Sequence, residues 1–176
     1  MKCTITIRPE KYKDFNAIAA VHTLAFGRPG EANLIELLRD SNTFMPEMSL
    51  VAVKDGAIVG HILFSKIIIR RVKNTPLEVL ALAPMAVLPS LQQQGIGIQL
   101  VEEGIKRARL YSYPGVIVLG HEHYYPKFGF QPASRWGIIC PYETEDENWL
   151  ALELKPNGLA TASGLVQYPK EFDSVE

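Results

Sequence analysis

The chain has 176 residues, of which 47% are hydrophobic and 21% charged, with a formal net charge of -1. That length buries a full core and fits a single domain over 1–176, with 155–176 as a C-terminal tail. The near-zero charge gives no electrostatic ground for nucleic acid or membrane as partner, and no apolar run is long enough to span a bilayer. Met1-Lys2 leads into a strand-like run with no signal-peptide pattern, so the expected location is cytoplasmic. Cys3 and Cys140 stand at opposite ends without metal-ligand spacing and read as small buried hydrophobes.

In chain order, residues 3–8 alternate as a first strand that Pro9 ends. A helix follows over 12–26, with Phe15, Ile18, Ala19, His22, Ala25 and Phe26 on one face at spacings of three and four. His22 lies within that face and reads as a core or cleft-edge histidine. Gly27-Arg28-Pro29-Gly30 breaks the helix, and a second one covers 31–40 with Leu34, Leu37 and Leu38 inward. Residues 49–54 form a strand, Asp55-Gly56 a hairpin turn, and 57–69 the partner strand.

A polar loop at 70–76 returns the chain into an apolar strand at 77–87, and a helix over 95–111 buries Ile98, Val101, Ile105 and Ala108. The run at 115–119, bounded by glycines, reads as a strand buried on both faces. It is expected parallel to 77–87 across the helical crossover. Strands are expected at 137–140 and 149–154. The acidic run 143–147 reads as a solvated turn, with attraction of a cationic amine as its functional alternative. The tail either covers a sheet edge or pairs with a second subunit.

The stretch 77–109 organises the rest. An apolar strand is followed by Gln92-Gln93-Gln94-Gly95-Ile96-Gly97 and then a helix. Unpaired N–H groups at a helix start and the helix dipole favour an anion there, and glycines let backbone approach a phosphate. The loop lacks the lysine of a nucleotide-hydrolysing loop, and Leu100 stands where a dinucleotide fingerprint has its third glycine. Pro84 inside the strand removes a ladder donor. It argues for a bulge rather than an early strand end, because Met85-Ala86-Val87 continue as strand residues.

Gln92-x-x-Gly95-x-Gly97, placed after a proline-interrupted strand and before a helix, resembles the pyrophosphate loop of the GNAT (GCN5-related N-acetyltransferase) superfamily. The element order is similar to that fold. Tyr125-x-Lys127-x-Gly129-Phe130 resembles a second family signature. Tyr124-Tyr125 and Gly129-Phe130, with a tail of Ala162-Ser163-Gly164, Val166, Tyr168-Pro169 and Phe172, resemble one bacterial subgroup of largely unknown substrate over nearly the whole chain. Many family members carry an asparagine shortly after the buried strand, where this chain has His121-Glu122-His123.

The resemblance implies an α/β fold with a mixed, mostly antiparallel central sheet flanked by helices. It implies acetyl-CoA as cosubstrate. Backbone of Gln92, Gln93, Gln94, Gly95, Ile96, Gly97 and Ile98 would hold the pyrophosphate, and Met85, Ala86 and Val87 the pantetheine arm, like an added strand. Tyr125 would protonate the departing thiolate, with Tyr124 as the rival; adjacent residues of a helix point about 100° apart, so only one faces the sulfur.

The base that relieves the attacking amine of its proton is to be found among Glu31, Glu78, His61, His121 and Glu122. Glu31 ranks first, because it opens the second helix beside the 27–30 loop, where substrate-side residues often arise in that fold. His121-x-His123 lacks further ligands at a metal spacing, so no metal site is expected. The implied reaction is acetyl transfer to a primary amine of a small molecule or peptide by direct attack, in a monomer or homodimer. The alternatives are a non-catalytic acyl-CoA-binding or sensing domain and a binding domain for another phosphorylated ligand.

Overall fold

Runs rich in valine, isoleucine and leucine supply the strands, and amphipathic segments the helices. The computed structural model describes residues 4–175. In order these are β1 (Thr6–Pro9), α1 (Phe15–Phe26), α2 (Gly30–Arg39), β2 (Ser49–Lys54), β3 (Ala57–Arg70), β4 (Leu77–Val87), α3 (Ile96–Leu110), β5 (Gly115–Leu119), β6 (Gln131–Pro132), β7 (Ile138–Ile139), β8 (Trp149–Glu153) and β9 (Gly164–Gln167). The sheet follows the order β1-β2-β3-β4-β5-β8-β6, with β9 pairing β3 and β7. It is mixed and mostly antiparallel, with helices flanking it, as expected.

The chain divides into two compact units. The first comprises residues up to 65, 83–104 and those from 170 onward. There β1, β2 and the start of β3 form an antiparallel meander, with Val51 opposite His61 and a bulge between Ala52 and Val53. Ile18, Leu34, Ile35, Leu38, Val51, Leu63 and Ala83 form its core, with Phe172 and Val175 packed against it. The inward face of α2 is Leu34, Ile35 and Leu38, not the expected Leu37, which is 46% exposed. In α3, Ile98 is only partly buried, against the sequence expectation, and Leu100 is fully buried. In both helices adjacent apolar residues compete for one stripe, and tertiary packing selects between them.

The second unit comprises residues 66–82 and 105–169. Its core gathers Ile67, Val79, Ile117, Trp149, Ala151 and Leu159. β4 and β5 are parallel, with Leu80 opposite Val116 and Ala81 opposite Ile117, and β8 pairs β5 antiparallel on its other edge. β9 lies antiparallel to the end of β3, with Ile69 opposite Val166, so this part of the tail covers a sheet edge. Cys140 is half-buried against the same core, and burial pushes its thiol up.

Pro9 belongs to β1 rather than ending it, and it pairs with Leu50. β1 is an edge strand, where a missing N–H costs no ladder bond. Cys3 and the expected start of that strand lie outside the described residues. Gly104, in mid-helix, has a close-approach reason: a Cβ there would lie 2.1 Å from Cε2 of the fully buried Phe64. Gly104→Ala is therefore expected to destabilise the protein by about 1–3 kcal/mol despite the better helix propensity of alanine, read by urea denaturation.

Candidate functional site

β4 continues as strand past Pro84 to Val87, so Met85, Ala86 and Val87 stay extended. The backbone at this end is fixed to β3. Leu88 donates its N–H to the Val59 carbonyl at 2.9 Å, and the Ala86 carbonyl lies 3.3 Å from where a Gly60 Cβ would stand. Gln92 donates from Nε2 to the Val87 carbonyl at 3.1 Å, so its side chain ties the loop to the strand it leaves. Gln93 and Gly95 both have positive φ, 61° and 81°. For the glycine this costs little, and for Gln93 it is a strained turn position.

Gln99 donates to the Gly95 carbonyl at 3.2 Å, which opens the α3 ladder. The backbone N–H groups of Gln93, Gln94, Gly95, Ile96, Gly97 and Ile98 find no acceptor among the described residues. A run of such donors at the start of a 15-residue helix is an anion-binding arrangement.

Glu31, also in the first unit, is buried in the first turn of α2. Arg28 forks onto it, with Nη2 2.7 Å from Oε1 and Nε 3.2 and 3.3 Å from the two oxygens. A carboxylate offers about four acceptor sites, so this pairing fixes Glu31 and leaves it further hydrogen-bond-accepting capacity.

Sequence reasoning missed a buried polar chain in the same unit. Arg39 donates to Glu10 at 2.9 and 3.0 Å, and the Ser49 hydroxyl donates to Glu10 Oε2 at 2.8 Å. The Ser49 proton is thereby used, so His61 Nε2, 2.8 Å from Ser49 Oγ, carries the donating hydrogen. His61 Nδ1 then accepts from His22 Nε2 at 2.9 Å. That leaves His22 Nδ1 an unprotonated, buried atom with no hydrogen-bond partner among the described residues. Both histidines were visible as single residues in apolar segments, but nothing local couples positions 39 residues apart.

Burial, with His61 and Arg39 nearby, brings the His22 pKa down to about 2. Burial also depresses His61, and outweighs the opposing pull of Glu10. For Glu10, burial alone would raise the carboxyl, but hydrogen bonds from His61, Arg39 and Ser49 bring it down to about 2.

In the second unit, Tyr125 opens a single 3-10 turn, Tyr125–Phe128, in place of the expected helix. Pro126 has no N–H, and Gly129 at φ 96° closes the turn after one circuit. The Tyr125 ring is buried, edge-on to Tyr124 at 5.1 Å and Phe130 at 5.6 Å. Its hydroxyl has no hydrogen-bond partner among the described residues. Burial, then the neighbouring Tyr124, pushes the phenol above its ordinary value of 10.0, so it stays protonated at neutral pH. Tyr124 instead carries the Lys127 ammonium 4.2 Å over its ring.

The other candidate bases separate cleanly. Glu78 is exposed and accepts from the Tyr113 hydroxyl at 3.5 Å; His61 is fully buried as an internal link; Glu122 pairs with the exposed His123 at 2.8 Å. His121 is exposed. Among the described residues, no group of three His, Cys, Asp or Glu residues gathers as a metal site.

Residues 46–132 match the family model described as an acetyltransferase (GNAT) domain. Over 136 residues the chain is 40% identical to the uncharacterized N-acetyltransferase YjhQ of Escherichia coli, covering 77% of this chain and 75% of that protein. The chain belongs to the GNAT family. It is 30% identical to the uncharacterized N-acetyltransferase YhbS of Escherichia coli over 95% of this chain and 98% of that protein. The crystal structure of YhbS in complex with CoA superposes with a TM-score of 0.89 at 29% identity, over 98% of this chain and 94% of that one. A GNAT acetyltransferase of Brucella melitensis in complex with acetyl-CoA matches with a TM-score of 0.77 at 30% identity, over 97% and 99%. The fold is thus that of the GNAT family.

Two outcomes are expected of this GNAT scaffold. Unfolded histidines take up protons as pH falls below 6.5, whereas folded His22 does so only near 2. Stability is therefore lost as pH drops through that window, by up to about 1.4 kcal/mol per pH unit for each such histidine. In urea denaturation between pH 7 and 5, above the ordinary Glu10 value, His22→Gln should show a shallower loss than the parent. A Cβ at Gly120 would lie 2.3 Å from Tyr125 Cε2. Gly120→Ala should displace that ring and cost about 1–3 kcal/mol, seen as an altered near-ultraviolet dichroism of the tyrosines and an earlier urea midpoint.

Proposed function

We propose that this GNAT protein transfers the acetyl group of acetyl-CoA to a primary amine of a small molecule or peptide by direct attack. The observation that carries the reading is the run of unaccepted N–H groups from Gln93 to Ile98 at the start of α3, suited to a pyrophosphate. The CoA and acetyl-CoA complexes of its relatives support the same ligand. The extended backbone of Met85, Ala86 and Val87 takes the pantetheine arm, and an amide of this segment polarises the thioester carbonyl.

Chemistry then assigns the remaining roles. An alkylammonium must lose a proton before it can attack, and Glu31 accepts it. The amine nitrogen forms a bond to the acetyl carbon. As the tetrahedral intermediate collapses, the carbon–sulfur bond breaks and the Tyr125 phenol protonates the leaving thiolate. The second nitrogen proton restores the phenol, so the products are the amide, CoA thiol and one released proton. A tyrosine kept protonated by burial suits the acid step.

Calorimetry with acetyl-CoA tests the ligand. Binding by the parent, weakened about tenfold in Gly95→Ala, is expected, because the left-handed position costs a non-glycine residue about 1–2 kcal/mol. No binding by the parent would overturn the reading. Tyr125→Phe separates an enzyme from a non-catalytic acyl-CoA sensor: it should lower kcat about 100-fold or more while the acetyl-CoA Kd stays within about twofold.

A further inference from the structure

The connection between α1 and α2 leads directly into Glu31, yet its own sequence does little to fix it. Gly27 closes α1 in the left-handed region at φ 69°, and Pro29 gives α2 no side-chain cap. Locally, the Arg28 fork on Glu31 and the Asn33 N–H bond to the Pro29 carbonyl, at 2.9 Å, are what define the start of α2.

The C-terminal segment supplies a further constraint. Lys170–Ser174 forms a 3-10 helix, closed by Ser174 Oγ donating to the Glu171 carbonyl at 2.7 Å and by the Val175 N–H reaching Phe172 O at 3.3 Å. These bonds present Phe172 and Val175 together. Both pack on the core formed by Ile18 of α1, Leu34, Ile35 and Leu38 of α2, and Val51, Leu63 and Ala83 of the sheet. Val175 also reaches the first residue of α2: a Cβ at Gly30 would stand 4.0 Å from Val175 Cγ1 and 4.0 Å from Arg28 Nε. The end of the tail and the arginine that holds Glu31 therefore both border the first residue of α2.

We propose that residues 170–175 are a strap that positions the Arg28–Glu31 pair, with Phe172 and Val175 as positioning residues for the amine-acceptor side of the site. The acceptor role rests on the proposed function of Glu31 as the base. A buried carboxylate holding a proton-accepting geometry needs its backbone fixed to a fraction of an ångström, and a glycine-proline connection does not provide that by itself. The strap provides it from the far end of the chain. A tail that merely filled the core would loosen α1, α2 and β2 alike. A strap acts at 27–33.

The test is hydrogen–deuterium exchange on the full chain, comparing the parent, the Phe172→Ala/Val175→Ser double variant and the conservative Phe172→Leu. Expected in the double variant is about tenfold faster amide exchange across 27–33, with 93–99 unchanged and the acetyl-CoA Kd within about twofold. Phe172→Leu should restore slow exchange. With spermidine and a lysine peptide as primary-amine probes, kcat should fall by a larger factor than KM rises. Unchanged exchange at 27–33, or acceleration of α1 and β2 by the same factor, would overturn the strap. Failure of the parent to bind acetyl-CoA would overturn the acetyl-transfer reading instead, and the exchange result would still decide the strap.

Discussion

The hydrogen-bonded chain from Arg39 through Glu10, Ser49 and His61 to His22 is the constraint on which the first unit depends. It joins α2, the residue after β1, β2, β3 and α1 by side chains that are almost wholly out of water. Buried polar groups are costly unless paired, and a fully connected set admits few alternative packings. Here the chain is closed at one end by an ion pair and open at the other, at His22 Nδ1. The arginine also lies 3.7 Å over the Phe15 ring, which couples the charged end to the start of α1. Meander and helices are thereby locked in one register, and β3 offers a fixed edge to the end of β4.

That fixed edge sets the ligand-side backbone. Gly60, beside His61, lets the Ala86 carbonyl and the side chains of Leu100 and Ile96 come close, and Leu88 is bonded to Val59. The strand end is thus held on the β3 side before the loop departs. Gln92 then bonds back to Val87, and two positive-φ residues turn the chain into α3. Main-chain geometry, not side-chain charge, carries the proposed anion site.

The two groups proposed for proton transfer sit in different surroundings. Tyr125 is left without a hydrogen-bond partner among the described residues and is desolvated, which keeps the phenol a donor. Glu31 is buried but forked by Arg28, which keeps its position defined. A single 3-10 turn between Pro126 and Gly129 gives Tyr125 its orientation, and the absence of a side chain at Gly120 gives its ring room. The Tyr125 features use proline or glycine for a stated steric reason.

By itself the sequence determined the succession of strands and helices, the glycine loop after Val87, the tyrosine four residues before Gly129 and the absence of a large charge imbalance. These are local matters of periodicity, turn chemistry and backbone freedom. Only the tertiary structure decided that Pro9 sits in an edge strand and that Ile35 rather than Leu37 faces the core. It also decided that a 3-10 turn replaces the helix at Tyr125, that β9 caps the edge of β3, and that His22 and His61 meet. Those outcomes depend on which distant segments pack together. Burial and hydrogen-bond pairing between residues far apart in the chain leave no periodic trace along it.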